Sequence, residues 1–161
     1  MNTVHEEVLL NKHRVLVLCT GNSARSQMAE GLINHFLGDQ WIAFSAGTRP
    51  SGYVHDLAVK AMAQIGIDIA GHRSKSTDEF RGQDFEVVIT VCDNAAKNCP
   101  TWLGKGSIVH IGFADPAAAT GSESERLARF GEVRDAIRRD VLGYLQQWHP
   151  EQTDDGLTFR L

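Results

Sequence analysis

The residues best suited to chemistry in this chain are three thiols, an arginine and an aspartate. Cys19 ends the apolar run VLVLC and is followed directly by Thr20, Gly21, Asn22, Ser23, Ala24, Arg25 and Ser26. A cysteine six residues ahead of an arginine, set between a strand and a helix, makes a loop whose backbone N–H groups can all turn inward onto a tetrahedral oxyanion. Gly21 permits the tight turn, and Asn22 tolerates a left-handed backbone better than most residues. Arg25 carries a planar fork that grips two oxyanion oxygens. The same field favours a thiolate, since cysteine pKa values fall from about 8.5 to ~3.5–7.5 at helix N-termini or beside cations. Ser26 is placed to donate a hydrogen bond to it. The segment Thr20 to Arg25 is thus an anion clamp with a nucleophile at its head. The plain alternative makes Cys19 a small buried residue and Arg25 a solvated one; the strand before, the helix after and Gly-Asn inside weigh against it.

The elements that must position this loop are legible in outline. Arg14–Leu18 reads as a short buried strand that delivers Cys19. Gln27–Leu37 has helical spacing, with Met28, Leu32, Ile33 and Phe36 in one stripe. Trp41–Ser45 is a second strand, closed by Ala46-Gly47, and Asp56–Ile65 a helix stopped by Gly66. Phe85–Val91 is a third strand, buried on both faces by its continuous apolar run, and Ser107–Ile111 a fourth. Ser122 or Ser124 caps a long final helix running to about Trp148. This alternation predicts an α/β fold, doubly wound, with a four-stranded parallel sheet and helices on both faces. Such sheets bind ligands at the carboxyl ends of their strands. Cys19 ends the first strand, Cys92 ends the third and Asp115 follows the fourth, so all three are expected on one rim. Residues 14–148 are expected to form the domain, with residues 1–13 a polar leader and residues 149–161 a polar, flexible tail.

Composition narrows the partners. The 161 residues suit one domain with a proper core, and they are 42% hydrophobic and 22% charged. A net charge of −4 supplies no basic field for nucleic acid. No apolar run approaches the roughly 20 residues of a membrane span, and residues 1–13 lack the apolar stretch of a signal peptide. Neither nucleic acid nor membrane is expected as a partner, and the protein reads as a cytoplasmic monomer. Three cysteines are an odd number and too few for a disulfide scaffold, which favours a reducing compartment. Only Cys92 and Cys99 cluster, and no histidine stands at zinc-finger spacing from them, so no metal site is expected.

The segment CTGNSARSQMAEG resembles the loop of the low-molecular-weight protein tyrosine phosphatase superfamily, and more closely its thioredoxin-coupled arsenate reductase branch. The resemblance covers roughly Arg14 to Trp148. It implies that Asp115, in an Asp-Pro pair at the family's place, is the general acid; on its own, Asp-Pro commonly just begins a turn. VITVCDNAAKNCP resembles the C-x6-C stretch of those reductases. The resemblance then implies Cys19 as nucleophile on arsenate, Cys92 as resolving thiol and Cys99 as the thiol that passes the disulfide to thioredoxin. No bound cofactor is implied, and phosphate or sulfate would act as analogues of arsenate. If residues 92–99 form a helix, their two thiols are roughly 10 Å apart along it, beyond the ~4.4–6.8 Å that a disulfide allows between Cα atoms. The segment would then have to unwind on oxidation. Two other readings stay open: a phosphatase of phosphotyrosine or small phosphomonoesters using Cys19, Arg25 and Asp115, and an oxyanion-binding or redox-sensing module without turnover.

Four positions depart from the family pattern. Ala24 stands where these reductases often carry a further cysteine. Ala117 stands where the phosphatases often carry a tyrosine, which disfavours an aromatic groove. Some members bind potassium behind the loop through an Asn, a Glu, a Ser and an HTSD stretch; here Asn22, Glu30 and Ser45 match, but Arg73 and Lys75 replace the last ligands. A site lined by two cations should not hold potassium, so Lys75 or Arg73 is expected to pair with Glu30 instead; a solvated basic turn is the alternative. His55, His72 and His110 match no motif and read as loop or strand-edge residues. Trp41, Trp102 and Trp148 read as packing residues, and Arg134, Arg138 and Arg139 as a solvated face with i,i+4 pairing.

Overall fold

The computed structural model describes residues 11–93, 104 and 106–150, together with the backbone of residues 158–159. Its strands are β1 (His13–Cys19), β2 (Trp41–Gly47), β3 (Val87–Thr90), β4 (Ser107–His110) and the two-residue β5 (Thr158–Phe159). They form one sheet in the order β2-β1-β3-β4-β5, and every neighbouring pair is parallel. The four expected strands are present. β5, drawn from the segment read as a flexible tail, adds a short edge beside β4.

β1 lies inside the sheet, which is why its apolar residues need no polar face: Val15, Leu16, Val17 and Leu18 are wholly buried. Strand alternation sends Val15, Val17 and Cys19 to one face and Leu16 and Leu18 to the other. The first face holds the main core, with Met28 and Leu32 of α1 (Arg25–Phe36), Leu57 and Met62 of α2 (Asp56–Ala63), Phe130 and Ile137 of α3 (Glu123–Ile137), and Leu145 of α4 (Gly143–Gln147). On the second face Leu16, Leu18 and Val88 pack against Phe85 and against Phe80 of the 3-10 turn Thr77–Phe80. Helical structure therefore lies on both faces, and Cys19 is on the face that α1 covers.

Helix ends follow from local hydrogen bonds. α1 begins at Arg25, two residues earlier than its apolar stripe suggests, because Ala24 already accepts from the Met28 N–H at 2.9 Å. Ser122 rather than Ser124 caps α3: its hydroxyl accepts from Glu125 N at 3.2 Å and donates to the Glu125 carboxylate at 3.1 Å. The long final helix is interrupted by a π-helical turn, Arg138–Leu142, before α4. The expectation of a solvated basic face fails at Arg134, which is buried and donates to Ala61 O at 2.6 Å and Gln64 Oε1 at 3.0 Å, closing the end of α2. Arg138 lies over the Phe36 ring at 4.0 Å, while Arg139 pairs with its neighbour Asp140. Trp41 and Trp148 pack edge to face at 5.3 Å with His13 against both; Trp102 lies outside the described residues. Among the described residues, no helix is long and apolar enough to cross a membrane, and no three His, Cys, Asp or Glu side chains are gathered to hold a metal ion.

Candidate active site

β1 and β2 stay in register to their ends, Cys19 opposite Gly47, and the chain beyond β2 wraps the loop that follows Cys19. Thr20 O accepts from Arg49 N at 3.0 Å, Gly21 O from Ser51 N at 2.9 Å and Ser23 O from His55 N at 2.8 Å. Ser74 Oγ adds a second bond to Gly21 O at 3.0 Å, and Gln27 Nε2 reaches Asn22 O at 3.2 Å. Four consecutive carbonyls are thereby drawn outward. A planar trans peptide sends its N–H the opposite way, so the N–H groups of Gly21, Asn22, Ser23 and Ala24 turn to the inside. Asn22 makes this possible with φ of 49°, the one positive φ at a non-glycine among the described residues. The clamp read from Thr20 to Arg25 is present as a shape, and no side chain caps the first turn of α1 beneath it.

Cys19 is 3% exposed, and its Sγ lies 3.2 Å from Asn22 N and 2.8 Å from Ser26 Oγ. Ser26 Oγ already accepts from Asn22 Nδ2 at 2.8 Å, so its own proton is free to be donated to sulfur. Asn22 in turn is oriented through Oδ1, which accepts from Lys75 N at 3.0 Å and Gln27 Nε2 at 2.9 Å. The sulfur therefore sits at the end of a directed chain of donors.

Arg25 is held at the rim by backbone and carboxylates together. Nη1 donates to Phe113 O at 3.1 Å and lies 3.7 Å from Asp93 Oδ1, while Nη2 lies 3.9 Å from Asp115 Oδ2. Asp115 does two things: it caps the short 3-10 turn Pro116–Ala118 through Ala117 N at 3.0 Å, and it faces the arginine. The turn signal and the site signal in Asp-Pro are thus both present. Cys92 is 3% exposed and follows β3, whose Thr90 is in register with Leu18; Val91 N also donates to Leu18 O at 3.0 Å. The two thiols Cys19 and Cys92 therefore follow neighbouring strand ends. Cys99 and the helix considered over residues 92–99 lie outside the described residues beyond Asp93.

Behind the loop, Glu30 and Ser45 are buried and face Lys75 rather than Arg73. Lys75 Nζ lies 3.3 Å from Ser45 Oγ and 3.7 Å from Glu30 Oε1. Arg73 turns outward to a two-pronged pair with Glu79, at 2.6 and 3.0 Å. His72, read as a motif-free loop residue, is part of this layer: Nδ1 lies 3.0 Å from Glu30 Oε2 and 3.1 Å from Gln27 Oε1. His55 caps α2 by accepting from Leu57 N at 3.1 Å, and His110 meets Thr90 Oγ1 at 2.8 Å. Burial is the main force pushing both of these imidazoles below the usual histidine range.

Fold and loop together set inward-facing N–H groups and an arginine around a buried thiol at the end of a parallel strand. Residues 14–153 match the low molecular weight phosphotyrosine protein phosphatase family, and the chain belongs to it. Arsenate reductases of Halalkalibacterium halodurans and Bacillus subtilis are 46% and 45% identical to it, spanning 82% and 76% of this chain and 94% and 88% of theirs. A solved arsenate reductase in its phosphate-binding state superposes with a TM-score of 0.69 at 28% identity, covering 84% of this chain and 98% of that one. Within the superfamily the chain lies with the arsenate reductases.

Sequence reasoning missed Gln27, Asp93, His72 and the carbonyl-holding residues Arg49, Ser51 and Ser74. Gln27 is wholly buried and lies one helical turn before the buried Glu30, but its residue type alone does not separate it from a solvated amide. Asp93, a carboxylate directly after a buried strand, had a weak signal. Arg49 and Ser51 act through backbone N–H groups, which residue type does not report, and the partners of the His72 ring and the Ser74 hydroxyl are more than 40 residues away in the chain.

Proposed function

We propose that this chain reduces arsenate to arsenite with three thiols in relay. The observation that carries the reading is the position of Cys19 Sγ, within reach of Asn22 N–H and the Ser26 hydroxyl, in a loop whose carbonyls from Thr20 to Ser23 are tied outward. Arsenate oxygens take the loop N–H groups and the Arg25 fork. Cys19 sulfur attacks arsenic, an As–O bond breaks, and Asp115 supplies the proton with which the oxygen leaves as water. The Cys92 thiolate then attacks Cys19 sulfur. An S–S bond forms, the S–As bond breaks, and its electron pair stays on arsenic, which leaves as arsenite. Cys99 attacks Cys92, freeing Cys19, and thioredoxin reduces the Cys92–Cys99 disulfide. The sum is arsenate plus a dithiol giving arsenite, water and a disulfide. The burial of Cys92 beside the strand that bears Cys19 supports its role; that of Cys99 rests on the C-x6-C resemblance. The need for reduced thiols places the protein in the cytoplasm.

The approach of Arg25 to Asp115 favours a second reading, since nucleophile, cation and acid alone suffice for a phosphomonoesterase. Coupled oxidation of NADPH with thioredoxin and thioredoxin reductase separates the two. Arsenate-dependent oxidation is expected in the wild type and is lost in Cys92→Ser and Cys99→Ser, while hydrolysis of an aryl phosphate persists in both variants. Folded wild-type protein that oxidises no NADPH with arsenate present would leave the phosphatase.

A further inference from the structure

The layer behind the loop has a composition that a simple scaffold does not need. Glu30 and Lys75 side chains are each 11% exposed, so two opposite charges share a nearly dry space. Besides Glu30 and Ser45, the ammonium faces the carbonyl of Arg73 at 3.3 Å. Burial pushes the Lys75 pKa below its usual range, and Glu30 opposes that push. The other charged groups near it are Arg73 and Glu79, paired to each other at the surface, and His72, which reaches it only through Glu30. A buried charge is tolerated when it is paired and its hydrogen bonds are met, and both conditions hold here. These residues do not fit a potassium ion: Glu30 Oε1 and Ser45 Oγ, the oxygens that would ligate it, face an ammonium already attached to the chain.

Lys75 is also tied to the loop by its backbone. Its N–H holds Asn22 Oδ1, and its carbonyl accepts from Gly47 N at 2.9 Å. One residue thus supplies the buried cation and anchors the left-handed residue that aims Ser26 at Cys19. We propose that Lys75 is a tethered cation: its ammonium neutralises Glu30 and so keeps Asn22, and the loop with it, in the anion-binding shape without a free metal ion. Lys75 touches no reacting atom and is a positioning residue. The inference rests on Cys19 being the nucleophile proposed above.

Two consequences distinguish this from a merely structural lysine. The wild type is indifferent to the identity of monovalent cations. Shortening Lys75 leaves a space lined by Glu30 and Ser45 oxygens that a small cation can fill. The test is the rate at which iodoacetamide alkylates Cys19 in the reduced full chain, read by peptide mass mapping. It is run in potassium, ammonium or tetramethylammonium chloride at equal ionic strength. Wild type is expected to react equally in all three salts. Lys75→Ser is expected to react about ten-fold more slowly in tetramethylammonium, the effect of disturbing one hydrogen bond to a charged group, and to recover in potassium or ammonium. Its thermal midpoint should rise with the same two cations. Lys75→Ser at the wild-type rate in tetramethylammonium, or slow and folded yet indifferent to all three cations, overturns the proposal. If Lys75→Ser folds in no salt, the neutral pair Glu30→Gln with Lys75→Met decides: with no buried charge left to neutralise, Cys19 is expected to react at the wild-type rate in every salt, and a folded variant with a slow Cys19 overturns the proposal. Wild-type Cys19 no more reactive than in guanidinium-unfolded chain would instead refute the nucleophile itself, and the inference with it.

Discussion

Gly47 is where the sheet and the anion loop touch, and Gly47→Ala probes how far that contact sets the chemistry. A Cβ at this position would fall inside the contact distance of Thr20 O, 3.0 Å from Cys19 O and 3.1 Å from Asn22 Cβ. Gly47 is not among the positive-φ glycines, so alanine meets no backbone penalty and the obstacle is space alone. An unstrained C···O contact is ~3.3–3.6 Å, so loop or strand must yield by up to about 1 Å. Neither is free to do so, since Thr20 O is bonded to Arg49 N and Gly47 N to Lys75 O. Overpacking of this kind costs about 1–3 kcal/mol, which lowers Tm by roughly 2–4 °C per kcal/mol in a chain of this length. A displacement of about 1 Å at a reacting group costs up to ~100-fold in rate. Gly47→Ala is therefore expected to melt several degrees lower and to lose far more turnover than stability. Thermal melting and arsenate-dependent NADPH oxidation measure the two. Gly143→Ala, where a Cβ meets nothing within 4 Å and the backbone is helical, is the control: it should keep wild-type turnover and melt no lower than wild type. Gly47→Ala with kcat/KM within about two-fold of wild type and an unchanged Tm would refute the claim that β2 fixes the loop.

Two further outcomes follow from groups outside the loop. His55 accepts the Leu57 N–H through Nδ1, which only an unprotonated nitrogen can do. Its pKa is lowered chiefly by burial and then by Arg126, against Asp56 and Asp115. As pH falls below the ordinary value of 6.5, the unfolded chain takes up this proton first. Stability present above that pH is therefore lost as pH drops through the lower folded-state value. Urea midpoints of wild type should fall by the worth of one cap, about 1 kcal/mol, while His55→Asn, which keeps a capping oxygen, falls less; equal slopes would refute the assignment. His110 shifts in the same sense and leaves part of the slope in the variant. Arg134→Met removes the buried guanidinium that closes α2 and should cost roughly 1.5–3 kcal/mol, seen as a lower Tm with unchanged Cys19 alkylation; a Tm within a degree of wild type would contradict that role.

What the sequence by itself determined is the part of the site written in consecutive residues. A strand, a thiol, a glycine, an asparagine and an arginine at a set spacing dictate a loop, because strand and helix periodicities leave those residues one place to turn. The parallel sheet and the rim shared by Cys19, Cys92 and Asp115 were legible for the same reason, since alternating strands and helices put strand ends on one side. Tertiary structure decided what depends on residues distant in the chain. Arg49, Ser51, His55, Gln27 and Ser74 turn the loop carbonyls outward through bonds that residue type does not encode. Arg73 and Lys75 are alike as letters two places apart, yet one reaches the surface carboxylate of Glu79 and the other the buried carboxylate of Glu30. Arg134 read as solvated because its neighbours in sequence are charged, and is buried because its neighbour in space is the carbonyl end of α2. Pattern reports a residue's neighbours along one element; the partner of a buried charge belongs to another.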